Sequence, residues 1–291
     1  MAIFNLGSIN VDHVYQVPHL PLPGETLAAL GLTTGLGGKG ANQSVAAARA
    51  GAKTFHIGAV GSDGGWIFEQ LRGFGIETTH IATLTGPTGH AIINVDRAGE
   101  NAIVLLPGAN FGLEQSHIEA ALAAALPGDI LLLQNETTLQ SETARSALSH
   151  GLRVIYSAAP FDIAAVRAVL PFISMLVVNE VEAAQLTAAI GKPLTALAVP
   201  DIIVTKGAQG AEWISAGTEP LFTPAFRVKP VDTTGAGDCF IGSLAAALDR
   251  GLTRPAAMRY AAAAAALQVT RPGASAAMPT RAEVETFLSQ H

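Results

Sequence analysis

Cysteine is almost absent from this sequence. Cys239 is the only one among 291 residues, so no intrachain disulfide can form, and this favours a reducing compartment. Charge is also sparse, at 14% of residues, and the 17 basic residues are outnumbered by 23 acidic ones. The net charge of −6 argues against nucleic acid or an anionic membrane as a partner.

Long apolar runs are missing as well. The stretch MAIFNLGSINVD lacks the basic start and the extended apolar region of a secretion signal. The longest apolar run, around YAAAAAALQV, is too short and too rich in alanine for a membrane span. Together with the single cysteine, this predicts a cytoplasmic protein that is not embedded in a membrane.

The chain does contain a regular alternation of two patterns, and 49% of its residues are hydrophobic. Runs of β-branched and other apolar residues predict strands at 3–7, 54–60, 130–134, 153–157, 175–178 and 201–205. Alanine-rich stretches predict helices at 41–50, 66–74, 113–125, 139–150, 180–188, 237–250, 254–270 and 281–289. This alternation is typical of an α/β fold in which helices cover both faces of a mostly parallel sheet.

Three segments interrupt the alternation: VDHVYQV, ETLAALGLTTG and GHAIINVDRAGENAIVLLPGAN. All three are typical of extended or hairpin structure, and only the second continues through a glycine loop into a helix. We expect them to form a small sheet that projects from the main one. This sheet would supply a discontinuous lid from about 14–34 and 88–106.

The glycine loop GLGGKGANQ, at 35–43, has the Gly-x-Gly-x-x-Gly spacing of a dinucleotide-binding turn. That interpretation requires a preceding strand and an acidic residue about 20 positions later. Here the preceding ALGLTT is a weak strand, and KTFHIG stands where the acid should be. A phosphate-binding loop also fails, because Gly40 rather than Ser or Thr follows Lys39. Glycines that let backbone approach closely, with Lys39 and Asn42 as donors, better suit a hydroxyl-rich ligand.

A second polar group, Asn10 and Asp12, follows the first predicted strand. Two residues apart in extended chain, these side chains share a face. A carboxylate at Asp12 can accept hydrogen bonds from two neighbouring hydroxyls. The same residues could instead cap a turn, and their spacing alone does not separate the two interpretations.

The stretch VDTTGAGDCF, at 231–240, leads directly into an amphipathic helix. Gly235, Ala236 and Gly237 would leave backbone N–H groups free at its N-terminus, where they and the helix dipole stabilise an anion. Asp238 in the same turn would repel a phosphate, but it suits a base for a hydroxyl that attacks one. The alternative is that Asp238 only complements the helix dipole.

GGKGANQSVAAARAGAK (37–53) and DTTGAGDCFIGSLAAAL (232–248) resemble the two signatures of the ribokinase-like family of carbohydrate kinases, and the resemblance covers essentially the whole chain. It implies one kinase domain, 1–291, folded as a three-layer α/β/α sandwich with a β lid. It also implies Asp238 as the catalytic base and an anion hole at Gly235, Ala236 and Gly237. The sugar ligands that it implies, besides Asp238, are Asn10, Asp12, Gly38, Lys39, Gly40, Ala41, Asn42 and Glu136.

The resemblance also places ATP. Asn179 in VNEVEA would contact its phosphates, and Glu182 would act on Mg²⁺ through water, since Mg²⁺ keeps several waters. Without the resemblance, Glu182 would be interpreted as a solvated helix residue. The nucleotide-binding loop would consist of Thr205, Lys206, Gly207, Ala208, Gln209 and Gly210. Gly237 and Asp238 would also contribute to the ATP site.

A potassium site beside the anion hole is implied by the same resemblance, mostly through backbone carbonyls. Its positions are Asp232, Thr234, Gln268, Arg271, Gly273 and Ala277. Ala277 stands where a serine is common, so one ligand would be lost or replaced by water. Ala262 stands where some relatives have a histidine near the adenine.

The resemblance implies transfer of a phosphoryl group from ATP to the primary hydroxyl of D-ribose, giving D-ribose 5-phosphate. Another pentose, a hexose or a nucleoside is the alternative within the family. A non-catalytic sugar-binding protein on this fold is an alternative of another class, and a dinucleotide-dependent oxidoreductase is the weakest. Exposed strand edges in the lid also predict a homodimer.

Overall fold

The computed structural model describes residues 1–291. Its nine helices are α1 (Lys39–Arg49), α2 (Gly65–Gly73), α3 (Gln115–Leu122), α4 (Gln140–Ser149), α5 (Ile163–Val169), α6 (Glu180–Ile190), α7 (Ala236–Asp249), α8 (Arg254–Gln268) and α9 (Arg281–Gln290). No helix combines the length and the apolar character that crossing a bilayer requires.

Fourteen strands form two separate sheets. They are β1 (Ala2–Leu6), β2 (Asn10–Gln16), β3 (Gly31–Gly37), β4 (Lys53–Val60), β5 (Ile76–Glu77), β6 (Ile81–Thr83), β7 (Gly89–Val95), β8 (Asn101–Leu106), β9 (Ile130–Leu133), β10 (Arg153–Ser157), β11 (Met175–Asn179), β12 (Asp201–Thr205), β13 (Gly210–Ser215) and β14 (Leu221–Pro224).

The main sheet has the order β14-β13-β12-β11-β10-β9-β1-β4-β5. The tenth strand, β6, also pairs with β4, further along β4 than β5 does. All pairs are parallel except β12–β13 and β13–β14, which are antiparallel. Side chains of β1 alternate between the faces: Ile3 joins an apolar cluster with α1, α7 and α8, whereas Phe4 joins another with α3 to α6. The result is the three-layer sandwich that the sequence predicts.

The second sheet has the order β3-β2-β7-β8. It contains the three segments that interrupt the α/β alternation, and it projects from the main sheet through β2 and β3. The outer strand β8 exposes a run of apolar side chains, Ile103, Val104, Leu105 and Leu106.

All eight predicted helices are present, most within one or two residues of the expected bounds. The helix predicted at 254–270 spans Arg254–Gln268, for example, and begins at the expected residue. Five elements have no sequence prediction: α5 and the strands β5, β6, β13 and β14. Helix α5 has only seven residues, too few to show a clear 3.6-residue period.

Helices α1 and α7 pack closely enough to bring the two glycine loops together. A Cβ atom on Gly242 of α7 would lie 2.4 Å from the carbonyl oxygen of Gln43 in α1, so only glycine permits this approach. The contact sets the first turns of both helices side by side, at the carboxyl ends of the parallel strands. Ligands of open α/β sheets collect at that edge.

Candidate active site

A cleft opens at the carboxyl ends of β10, β11 and β12, opposite the first turn of α7. It brings together residues that the sequence assigns to separate motifs. Those lining it are Lys39, Ser157, Ala159, Val177, Val178, Asn179, Glu182, Thr205, Thr233, Gly235, Ala236, Gly237, Asp238 and Ile241.

Asp238 lies at the inner end of this cleft, in the first turn of α7, and only 9% of its surface is exposed. Its Oδ2 accepts a hydrogen bond from Asn42 Nδ2 over 3.1 Å, and its Oδ1 accepts one from Gln43 Nε2 over 3.0 Å. Burial raises the pKa of Asp238 to about 6, although Lys39 and the two amides oppose the shift. The carboxylate is therefore ionised at neutral pH and remains a stronger base than an ordinary aspartate.

Free backbone amides surround Asp238. Gly235 caps α7 with φ of 76°, a left-handed conformation that glycine adopts without strain. The N–H groups of Gly235, Gly237 and Asp238 have no hydrogen-bond partner in the protein. The N–H of Ala236, which the sequence also predicts to be free, donates instead to Thr233 O over 3.2 Å, because the chain turns tightly before the helix. Unpaired N–H groups at a helix N-terminus are donors for an anion, and three of them lie beside Asp238.

Behind Asp238 runs a buried chain of polar side chains that the sequence analysis does not identify. Gln134 Nε2 donates to Gln43 Oε1 over 2.8 Å and to Asn5 Oδ1 over 2.9 Å. Asn5 Nδ2 donates to Ser44 Oγ over 2.8 Å. Ser44 Oγ lies 2.8 Å from His56 Nδ1, and His56 Nε2 lies 3.1 Å from Gly7 O.

The protonation of His56 follows from these contacts. Gly7 O can only accept, so Nε2 carries the proton, and Ser44 donates to Nδ1. Burial lowers the pKa of His56 to about 4, so the ring is neutral at physiological pH. Each donor in the chain from His56 to Gln43 is thus fixed. Gln134 donates to both neighbours, and this holds the Gln43 amide with its nitrogen facing Asp238.

Lys39 and Glu136 form the polar wall next to the base. Glu136 Oε2 accepts from Ser8 Oγ over 2.5 Å and from Lys39 N over 3.1 Å, and its Oε1 lies 3.8 Å from Lys39 Nζ. Burial opposes a charge on Lys39, but Asp238, Glu136 and Glu182 together raise the pKa of its ammonium. The lysine therefore remains a cation among three carboxylates.

Asn10 and Asp12 begin the second sheet close to Glu136. Burial first, and then the charge of Glu136, raise the pKa of Asp12 to about 6. Asn10 is buried, and its Oδ1 accepts from Asn110 Nδ2 over 2.8 Å. Asn110, which the sequence analysis misses, also bonds both backbone groups of Ile9 and so fixes the start of β2.

A second missed residue, Ser275, orients Asn42. Its Oγ lies 3.2 Å from Leu36 O and donates to the nearer Asn42 Oδ1 over 2.6 Å, while the Asn42 amide nitrogen faces the Asp238 carboxylate, which only accepts. Nothing local in the sequence marks either Ser275 or Asn110, since each acts on a residue more than 90 positions away.

On the nucleotide side, Asn179 and Glu182 cap α6 reciprocally. Asn179 Oδ1 accepts from Glu182 N over 2.8 Å, and Glu182 Oε2 accepts from Asn179 N over 2.9 Å. Burial raises the pKa of Glu182, while the Asn179 amide and Lys39 oppose the shift. Each side chain keeps one polar atom, Asn179 Nδ2 and Glu182 Oε1, that is not used by the cap.

The predicted nucleotide loop follows β12. Thr205 lines the cleft, and Gly207–Gln209 form a 3₁₀ turn beyond it. Lys206 Nζ lies 2.7 Å from Glu212 Oε2, so a carboxylate offsets its charge. Ala262, where the sequence expects an adenine contact to be altered, belongs to the apolar core with 8% exposure.

The positions expected to hold K⁺ lie on two loops joined by hydrogen bonds. Asp232 Oδ1 accepts from Thr234 N, and Oδ2 accepts from Gly273 N, each over 2.9 Å. Gln268 Nε2 donates to the carbonyls of Thr234 and Gly273. The other two positions are Arg271, whose side chain pairs with Glu283, and the buried Ala277.

Comparisons with known proteins agree with this geometry. A ribokinase of Haemophilus influenzae is 38% identical over 298 residues, which cover 97% of each chain. A ribokinase of Bacillus subtilis is 37% identical over 293 residues, covering 98% of each. The structure of Arabidopsis thaliana ribokinase complexed with ribose and ATP superposes with a TM-score of 0.89 at 31% identity, covering 99% of both chains.

A family profile that matches nearly the whole chain identifies the protein family. Residues 2–281 match the sequence profile of the pfkB family carbohydrate kinases. The two glycine loops, the buried aspartate and the free amides of α7 all lie within that range. This chain belongs to the pfkB family of carbohydrate kinases.

Proposed function

We propose that this protein is an ATP-dependent sugar kinase that converts D-ribose to D-ribose 5-phosphate. One observation carries the proposal: a buried carboxylate, Asp238, lies beside the unpaired N–H groups of Gly235 and Gly237 in a single cleft. That pair combines a base for a hydroxyl with donors for a phosphoryl group. The ribokinase names of the two relatives, and the ribose and ATP of the Arabidopsis complex, support ribose as the acceptor.

The residues of the cleft divide the reaction between them. Asp238 takes the proton of the primary hydroxyl as that oxygen forms a bond to the γ-phosphorus and the bond from phosphorus to the bridging oxygen of ADP breaks. The free amides of Gly235, Gly237 and Asp238 donate to the phosphoryl oxygens, which carry the negative charge. Lys39 adds a positive charge between the sugar and phosphate sides.

The sugar is held on the side of the second sheet. Asp12 and Glu136 are acceptors for its hydroxyls, and Asn10 and the second amide hydrogen of Asn42 complete the set. The glycine backbone at Gly38, Gly40 and Ala41 lets the ring approach closely. The negative charges of Asp12 and Glu136 repel each other in the free protein. Sugar hydroxyls that donate hydrogen bonds to both carboxylates would reduce this repulsion.

The nucleotide is held by Asn179, by Thr205 and by the loop that runs through Lys206, Gly207, Ala208, Gln209 and Gly210. The residues present fit a Mg²⁺ ion bound through water, because Glu182 keeps one carboxylate oxygen free of the helix cap. When bound with ATP, Mg²⁺ neutralises charge on the phosphates. The expected K⁺ ion does not fit its site in this way, because the side-chain amide of Gln268 already donates to two of the carbonyls that would bind the ion, those of Thr234 and Gly273. No step of the reaction is assigned to K⁺.

The experiment that tests this function measures ADP formed from ATP and Mg²⁺ with a panel of sugars and nucleosides. D-Ribose should give the highest kcat/KM, and the product should be the 5-phosphate by NMR. A preference for another pentose, a hexose or a nucleoside would retain the kinase and reject ribose. Ribose binding without any turnover would favour a non-catalytic sugar-binding protein.

We further propose that the segments 14–34 and 88–106 of the single domain 1–291 close over the sugar as a lid. The exposed apolar strand β8 supports a homodimer formed through this sheet, because such a strand edge favours pairing with a second copy. A monomer in sedimentation at micromolar concentration would reject the dimer. The single, buried Cys239 suits a cytoplasmic location, where thiols stay reduced.

A further inference from the structure

One side chain, Gln268, ties the anion-hole loop to the turn that follows α8. Its Nε2 donates to Thr234 O over 2.8 Å and to Gly273 O over 3.1 Å. Both partners are carbonyl oxygens that only accept, so the atom between them must be the amide nitrogen. Gln268 is fully buried, and its Oε1 has no partner in the protein, so the residue is held by its nitrogen alone.

Thr234 O and Gly273 O are two of the backbone carbonyls expected to hold a monovalent cation at this place. Gln268 Nε2 lies within hydrogen-bond distance of both oxygens, in the space that a cation bound to both would occupy. Both carboxylate oxygens of Asp232 accept backbone N–H groups, and Ala277 has no side-chain oxygen. The residues present therefore fit an amide, and they do not fit a bound K⁺ ion.

We propose that the amide group of Gln268 takes the place of the monovalent cation and positions the anion hole, so that activity does not depend on K⁺. An –NH₂ group presents two partly positive hydrogens, one for each carbonyl, and so bridges the two loops as a cation would. The inference rests on the proposed kinase function, because the loop that Gln268 fixes is the one expected to hold the transferred phosphoryl group.

The bridge reaches the anion hole over a short distance. Thr234 directly precedes Gly235, whose N–H is one of the free donors. A Cβ on Gly235 would lie only 3.1 Å from Ala274 Cβ, so the loop rests against the residue that follows Gly273. Val269 O also accepts from Val231 N over 2.7 Å and from Asp232 N over 3.2 Å. A change at Gln268 therefore moves the donors of the anion hole.

The first test compares the wild-type protein in KCl, NaCl and tetramethylammonium chloride at equal ionic strength. We expect equal kcat, equal KM for ATP and equal thermal midpoint in the three salts. Higher kcat or a higher midpoint in KCl would overturn the proposal, because the amide would then not replace the ion. The midpoint needs no turnover, so it can be read even if the proposed kinase function fails.

The second test removes the amide with Gln268→Ala. We expect kcat to fall about tenfold or more in NaCl, since misplaced anion-hole donors cost up to about 10²–10³ in kcat. K⁺ or NH₄⁺ should restore kcat several-fold and raise the thermal midpoint, because the carbonyls of Thr234 and Gly273 are then free to bind a cation. KM for ribose should change little, since the sugar lies on the other side of Asp238.

A matched control is Gln140→Ala, which also removes an amide that donates to two carbonyls, those of Gln134 and Thr137. K⁺ should rescue Gln268→Ala and not Gln140→Ala. A folded Gln268→Ala that keeps full kcat, or that K⁺ does not rescue, would overturn the proposal.

If Gln268→Ala does not fold, Gln268→Glu keeps the size of the side chain but cannot donate when ionised. That variant should become dependent on K⁺ for kcat and for its thermal midpoint. Equal behaviour of Gln268→Glu in KCl and NaCl would overturn the proposal as well.

Discussion

Gln43 and Asp238 are 195 positions apart in the sequence, yet the amide nitrogen of Gln43 donates to Asp238 Oδ1 over 3.0 Å. One residue belongs to the first glycine motif, and the other belongs to the second. Their contact joins, at one carboxylate, the two loops that are proposed to bind the sugar and the phosphoryl group. It also makes the basicity of Asp238 depend on a side chain that touches neither expected substrate.

The first prediction concerns Asp238 as the base. Asp238→Asn keeps the size of the side chain and removes its basicity, and kcat should fall by about 10²–10⁴, the usual contribution of general-base catalysis. Ribose affinity, measured by calorimetry without turnover, should change much less. A variant that retains nearly full kcat would show that another group takes the proton.

The second prediction concerns Asp12 as a ligand of ribose. Asp12→Ala removes a charged acceptor, so ribose binding should weaken by about 1.5–3 kcal/mol. The loss should be much smaller for 2-deoxyribose if Asp12 accepts from the missing hydroxyl. An equal loss for both sugars would place Asp12 elsewhere on the ring.

The third prediction is that activity and the contribution of two buried aspartates to stability change in opposite directions between pH 7 and pH 5. The pKa values of Asp238 and Asp12 are both raised from 3.8 to about 6, chiefly by burial. Protonation of the base should therefore reduce kcat/KM as the pH falls through about 6. The same protonation removes two buried charges, so each aspartate adds stability below its folded pKa, and that stability is lost as the pH rises through it.

The check is a pH series of kcat/KM and of the free energy of unfolding. Glu283 has its pKa lowered to about 2 by Arg271 and the Thr280 amide, so its contribution is lost only in stronger acid. Burial lowers the pKa of His56 from 6.5 to about 4, so its contribution to stability is lost within this window as the pH falls. The aspartate contribution is therefore the difference in free energy of unfolding between the wild type and the double variant Asp12→Asn, Asp238→Asn. A difference between the two proteins that stays constant from pH 7 to pH 5 would contradict the assignment for both aspartates.

The fourth prediction concerns the chain behind the base. Gln43→Leu removes a donor that stabilises the ionised form of Asp238, so the acid limb of kcat/KM should move to higher pH. Gln115→Leu, on the exposed surface of α3, is the matched control and should leave the limb unchanged. A lower kcat with an unmoved limb would show that Gln43 supports the structure but does not set the pKa.

The fifth prediction concerns the lid. Phosphoryl transfer requires that water be excluded, or ATP is hydrolysed instead. Saturating ribose should therefore slow hydrogen exchange in 14–34 and 88–106 and leave the buried strands β9 and β10 unchanged. Unaltered exchange in both segments would show that they do not close over the sugar.

Local patterns were enough to predict most of the main sandwich. Helix α6, for example, begins as expected at Glu180, because its start is encoded by neighbours: Asn179 and Glu182 form a capping box three residues apart. Strands β13 and β14 were missed because they form an antiparallel edge that depends on pairing with β12. Such pairing is a property of the fold and leaves a weak trace in nearby residues.

The site shows the same division. Asp238 and the amides of α7 could be inferred from one short stretch, because helix-start chemistry is local. Asn110, Ser275, Gln134 and His56 could not, since each acts through a partner brought close only by folding. The K⁺ positions show a further limit of sequence-based prediction. Any residue type provides a backbone carbonyl, so the sequence does not show that the side chain of Gln268 donates to two of these carbonyls.

The buried chain from His56 to Gln43 also has a consequence for the proton that Asp238 accepts. Asn5, Gln134 and Gln43 are carboxamides, which donate and accept hydrogen bonds but do not exchange protons along a chain as hydroxyls or water do. No proton can therefore be transferred from Asp238 along these side chains into the interior. A proton that Asp238 took from the sugar, as proposed, would have to leave by the open side of the cleft, the same side by which the phosphorylated product would be released.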